Sequence, residues 1–215
     1  MYTINDIFLG EPDGKKEAAY NSDFENFFFD YNNLYLESMK QKVFIILGRK
    51  GTGKSILGEF IKKKSNEDPK WFCHLISYKD FQFHALIQLE NGDIRPNEYI
   101  SIWEWVLLIE LAKLCLENKK LESYDEYEKL RVFFSENNFS MDLNTLKIIE
   151  ITKQRNISGN VLKIVQGEKN YIVKSERGNY LNYIEDLRNV VIKLLKLSGA
   201  KYTLICDELY TCTLR

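Results

Sequence analysis

Two periods of apolar residues alternate along the chain, and each change of period marks an element. Val43 to Leu47 is an unbroken, β-branched-rich apolar run, which predicts a strand buried on both faces. Ile56 to Lys64 then takes up helical spacing, with Ile56, Leu57, Phe60 and Ile61 apolar. Asn66 to Pro69 is a turn, and Trp71 to Tyr78 (WFCHLISY) reads as a second strand. The longest helix is expected over Asn97 to Asn118. Ile100, Trp103, Leu107, Leu111 and Leu114 form one stripe there, and Ile102, Trp105, Leu108, Ile109 and Ala112 cover much of the remainder. A helix so apolar is expected to be buried on more than one side.

Further helices are expected over Ser123 to Phe134 and Asp142 to Arg155, the second with Leu143, Leu146, Ile149 and Ile148 inward. Ile157 to Val165 and Asn170 to Lys174, around Gln166-Gly167-Glu168-Lys169, predict a β-hairpin. Asn179 to Leu197 is amphipathic, with Leu181, Ile184, Leu187, Val191, Leu194 and Leu195 inward, and Ser198-Gly199 stops it. Tyr202 to Cys206 is a third buried strand, ending at Asp207-Glu208. Near the N-terminus, Phe24, Phe27, Phe28 and Tyr31 fall at helical spacing and predict a helix packed on the sheet. The expected fold class is α/β: a parallel sheet flanked by helices, with residues 1–94 and 179–215 forming the core and 95–178 a helical insertion ending in the hairpin.

Composition narrows the function classes. At 215 residues, with 45% hydrophobic residues, the chain can bury a sizeable core. Thirty basic and 31 acidic residues leave a net charge of −1, which argues against a broad nucleic-acid or anionic-membrane surface. Cys73, Cys115, Cys206 and Cys212 match no zinc or redox spacing, and His74 and His84 stand singly. A lone strand histidine such as His74 is expected to be packed or hydrogen-bonded rather than a ligand. Glu122, Asp125, Glu126 and Glu128 read as a solvated helix face. Met1 to Gly10 lacks the basic and apolar regions of a signal peptide, and no run is long enough to span a bilayer, so a cytoplasmic location is expected.

The chemistry concentrates at Gly48-Arg49-Lys50-Gly51-Thr52-Gly53-Lys54-Ser55, which fits G-x-x-x-x-G-K-[ST] between the first strand and its helix. Glycines at Gly48, Gly51 and Gly53 allow a tight turn that presents backbone N–H groups to phosphate at a helix start. Lys54 is expected to reach the β and γ phosphates of ATP, and Ser55 to offer its hydroxyl to Mg²⁺. Arg49 and Lys50 either add positive potential at the mouth or are solvated loop charges. An apolar strand ending in acid, downstream of such a loop, is the second half of the pattern. Asp207 is expected to hold Mg²⁺ with Ser55, and Glu208 to orient or deprotonate water. The segment around Ile7 to Glu11 is either core packing or a wall against the nucleotide base.

These motifs resemble a bacterial family of P-loop ATPases within the broad AAA/STAND-like group, frequently associated with anti-phage defence. The resemblance rests on LGEPDGKKEA, on FIILGRKGTGKS, on the helix with Ile102-Trp103-Glu104-Trp105, and on ICDEL. It implies ATP with Mg²⁺, hydrolysis at Glu208, and self-association or coupling to a partner protein. The chain stops seven residues after Glu208. ATPases of this kind place a further strand between the loop strand and the Asp-bearing strand, and carry a γ-phosphate-sensing residue on it. The expectation is therefore a fragment, a subunit whose sheet a partner completes, or a degenerate copy. The competing class is a non-catalytic interaction module with a vestigial loop. A small-molecule kinase is disfavoured, because Arg95, Arg131, Arg155, Arg177 and Arg188 are scattered singly.

Overall fold

The computed structural model describes residues 11, 13–40, 45–77, 96–154, 157–162 and 177–207. Among these residues, four α-helices precede β1 (Trp71–Ser77): α1 (Gly14–Tyr20), α2 (Phe24–Phe27), α3 (Leu34–Ser38) and α4 (Lys54–Ser65). That strand is followed by α5 (Pro96–Glu117), α6 (Asp125–Asn137) and α7 (Thr145–Gln154). The short strands β2 (Ile157–Ser158) and β3 (Arg177–Gly178) come next, then α8 (Ile184–Ser198) and β4 (Lys201–Asp207).

β1 and β4 run parallel, in register from Trp71 opposite Lys201 to Ser77 opposite Asp207. Side chains alternate across a strand, so each face of this pair meets a different helix. Leu75 and Ile205, opposite each other, face α4: a Cβ on Gly58 would stand 2.8 Å from Leu75 and 3.5 Å from Ile205. The missing side chain at Gly58 is what lets α4 lie that close. On the other face Ile76 and Cys206 pack with Ile102 and Val106 of α5 and Ile149 of α7. The unit is thus three layers, α4 over β1–β4 over α5.

The largest core lies beyond α5. Trp105, Ile109 and Ala112 of α5 meet Leu130, Phe133 and Phe134 of α6, Ile148 of α7, and Leu187, Val191 and Leu194 of α8. Trp105 is fully buried, its ring edge-on to Phe133, and its Nε1–H donates to Thr152 Oγ1 at 3.0 Å. That hydrogen bond satisfies the indole polar atom which burial would otherwise penalise. The stripe Ile100, Trp103, Leu107 and Leu111 faces an open cleft, and Ile100 is exposed. α5 is therefore buried on the sheet and core sides only. Among the described residues no helix is long and apolar enough to cross a membrane.

Ion pairs between His74 of β1 and two carboxylates of α5 staple the sheet to that helix. His74 Nε2 lies 2.7 Å from Glu117 and Nδ1 lies 3.7 Å from Glu110. Lys113, 2% exposed, donates to Glu110 at 3.0 Å and to the Leu143 carbonyl at 2.6 Å. His74 is thus a hydrogen-bonded strand residue, as its isolation predicted. Burial alone would lower its pKa, but the carboxylates of Glu110 and Glu117 outweigh that and raise it to about 9.

Several expectations need correction. Residues 45–49 are in no strand, and Ile45 and Leu47 are 75% and 89% exposed, so the described end of the run Val43–Leu47 is not buried on both faces; Val43 and Phe44 lie outside the described residues. The aromatic N-terminal helix is broken: α2 has four residues, and Asn32 and Asn33, both at φ 55°, separate it from α3. Of its aromatics Phe24 is buried and Phe28 stacks on Phe60 at 3.8 Å, while Phe27, Phe29 and Tyr31 are exposed. The strand expected from Ile157 is two residues long and turns into a 3-10 segment at Asn160–Leu162; its antiparallel partner is Arg177–Gly178. The turn at Gln166 to Lys169 and the strand Asn170 to Lys174 lie outside the described residues. Leu181, expected inward, is 45% exposed because Tyr180–Tyr183 is a 3-10 segment out of phase with α8. Glu126 is not a solvated charge but the partner of Lys193 on α8.

Candidate functional site

Gly51 and Gly53 adopt φ of 85° and 80°, a backbone region that side-chain-bearing residues enter only at a cost. With these two reversals the loop doubles back onto the start of α4. Thr52 closes it, donating from both its N–H (3.3 Å) and its hydroxyl (2.9 Å) to the Arg49 carbonyl. Gly53 caps α4, and its carbonyl accepts from Leu57 N–H at 2.9 Å. The N–H groups of Lys54, Ser55 and Ile56 precede that first intrahelical bond, so they have no acceptor within the helix. Together with the helix dipole they form the kind of surface that takes an anion.

Lys54 curls over the loop, its Nζ donating to the carbonyls of Gly48 and Arg49, each at 2.8 Å. Two neutral acceptors hold it, weaker partners than a phosphate oxygen. Gly48, Arg49, Lys50, Gly51 and Thr52 are exposed, and Gly53, Lys54 and Ser55 half-buried. Arg49 and Lys50 point no more clearly to a ligand than to solvent.

The position of Asp207 is set by the direction of α4. Gly58, in the middle of α4, lies over Leu75 and Ile205, and Ser65 at its C-terminal end bonds Cys73 near the start of β1. The helix therefore runs against the strands, and its first turn, with Lys54 and Ser55, lies toward their C-terminal ends. Asp207 ends β4 there and shares the side-chain parity of Ile205, so it is on the face that α4 covers. Glu59, one helical turn after Ser55, is close enough for the Asp207 charge to act on it. Ser55 and Asp207 thus lie toward the same end of the strands and on the same face. Glu208 lies outside the described residues.

Two residues at this end carry no motif in the sequence. Lys15 of α1 reaches to 3.9 Å from Asp207 Oδ2, with the Asp207 side chain only 11% exposed. Glu59 sits partly buried beside them. Burial raises its pKa, against the opposing effect of Lys62 and Lys15. One local signal was available: Asp13 before Gly14 is an N-cap, and it accepts from Lys15 N–H at 2.9 Å. That cap puts Lys15 in a first helical turn, but no local pattern reports that the turn reaches a strand nearly two hundred residues away.

The donor chemistry suits a magnesium polyphosphate. A serine hydroxyl and a carboxylate are hard oxygen ligands of the type Mg²⁺ takes in few numbers, alongside phosphate oxygens and water. The loop offers N–H groups and an ammonium, donors of the kind that phosphate oxygens accept from. Among the described residues, no cluster of three or more His, Cys, Asp or Glu forms a self-sufficient metal site. The carboxylate set here suits a metal that arrives with its own oxygen ligands. No match to the chain was found among protein families, curated proteins or solved structures.

Proposed function

We propose that this protein binds ATP with Mg²⁺ as a P-loop NTPase, holding the triphosphate on residues Gly48–Ser55 and the metal between Ser55 and Asp207. One observation carries the reading: the glycine-bent loop and the Asp207 carboxylate, 152 residues apart from Ser55 in sequence, converge on one end of α4. In this role the N–H groups of the loop and first turn orient the phosphates, and Lys54 exchanges two carbonyl partners for phosphate oxygens. Ser55 and Asp207 position the metal, which when bound neutralises phosphate charge. Glu208, next in sequence to Asp207, is the residue we assign to orienting water for hydrolysis.

Exposed Ile45 and Leu47, leading into the loop, support a subunit that works beside a second chain or a further strand covering them. A role in bacterial anti-phage defence belongs to the same proposal and rests on the motifs alone. The second reading, a non-catalytic interaction module, is favoured by the self-satisfied Lys54, whose charge is already spent on its own loop. Calorimetry with Mg-ATP separates the two. Lys54→Ala is expected to weaken binding by about 10-fold or more. Equal affinity in both proteins contradicts nucleotide binding at this loop.

A further inference from the structure

The nucleotide loop is not the only element that addresses Asp207. α1 is fixed against α4 at its first residue, because a Cβ on Gly14 would overlap the Ile56 side chain. The Asp13 cap then sets the direction in which the next residue leaves the helix. Lys15 is thereby delivered to 3.9 Å from Asp207 Oδ2, its own side chain 28% exposed. Its charge also acts on Glu59, where Lys62 adds a second cation and Asp13 and Asp207 add acids. Lys15 therefore stands among carboxylates from a helix and a strand that α1 does not belong to.

We propose that Lys15 is the resident counter-ion of Asp207 and that a nucleotide-bound divalent cation displaces it, so that α1 loosens when the site fills. This rests on the Mg-ATP reading of the loop and deepens it. The physical reason is competition. A divalent ion held on the Asp207 carboxylate repels an ammonium 3.9 Å from that same group, and Glu59 offers the ammonium a second acidic neighbour to move toward. Linkage makes the effect reciprocal: whatever metal binding costs the α1 contact, that contact costs the metal. In this way α1 carries the state of the phosphate site outward.

The test is a Mg²⁺ titration of ATP binding by calorimetry, with deuterium uptake measured across residues 14–20. Lys15→Met keeps an unbranched side chain of similar length and removes the charge. It is expected to lower the Mg²⁺ concentration needed for half-saturation by about 3- to 10-fold, the range of a partly exposed ion pair. Lys15→Arg is expected to keep the wild-type requirement. In the wild type, Mg-ATP should raise deuterium uptake in α1, and in Lys15→Met uptake should already be high without it. An unchanged or increased Mg²⁺ requirement in Lys15→Met overturns the displacement, as does greater protection of α1 on loading. If neither protein binds ATP, the nucleotide reading itself falls and takes this one with it.

Discussion

Trp105 and Leu47 are both large apolar side chains, and the molecule treats them oppositely. Trp105 is fully enclosed by α5, α6, α7 and the segment before α8, while Leu47 is 89% exposed at the entrance to the glycine-rich loop. The helical half has a continuous core from four helices. Among the described residues, the loop-bearing half has a two-stranded sheet, one glycine-spaced helix over it, and exposed apolar positions leading into the loop. The difference separates two kinds of constraint. Helices of α5–α8 stabilise one another wherever their stripes meet, whereas the loop half leaves apolar positions such as Ile45 and Leu47 exposed beside the glycine-rich loop.

Substitutions can break that contrast, beginning with the strongest. Trp105→Ala is expected to cost about 3–5 kcal/mol, from lost burial, lost ring contact with Phe133 and the loss of the hydrogen bond that the indole donates to Thr152. Urea unfolding followed by far-UV circular dichroism measures it, and a loss below about 1 kcal/mol would mean the helical core is loosely packed.

Next in size is the charge staple between the halves. The pKa of His74 in the fold, about 9, lies above its unfolded value, so its stabilisation is fully present below about pH 6.5 and is lost as pH rises through about 9. Stability should therefore fall by about 2 kcal/mol between pH 6.5 and 9.5, and His74→Gln should flatten that slope. A slope unchanged in the variant would remove the staple from the account.

The smallest effect belongs to the loop half. Leu47→Thr is expected to change stability by no more than about 0.5 kcal/mol, because nothing in the described chain covers the side chain. A cost above about 2 kcal/mol, if concentration-dependent, would show a second copy covering it in solution.

Legibility in the sequence divides along the same line. α4, β1, α5, α8 and β4 were legible because each is long enough to show its period, and Gly199 at φ 57° ends α8 where the sequence placed the stop. The turn through Gly51 and Gly53 was legible because glycine has a specific backbone use there. The run before it misled, since an apolar β-branched segment says what a residue prefers and not whether a partner strand exists. The N-terminal aromatics misled for a related reason. Their spacing is helical, but Asn32 and Asn33 accept the left-handed conformation that breaks a helix, and one buried ring, Phe60, draws Phe28 out of phase with Phe27. Pairings such as Ile157 with Gly178, or Lys15 with Asp207, arise only once the chain has closed on itself.

At the centre of the account is one site shared by the loop and the end of β4. Its most direct test is the metal dependence of ATP affinity in the wild type and in Asp207→Asn, which keeps the side-chain volume and removes the charge. Wild-type protein should bind ATP at least about 10-fold more tightly in Mg²⁺ than in chelator, and Asp207→Asn should lose most of that difference while its affinity in chelator stays unchanged or rises. A wild type indifferent to Mg²⁺, or an Asp207→Asn variant that responds to it as the wild type does, would contradict the account.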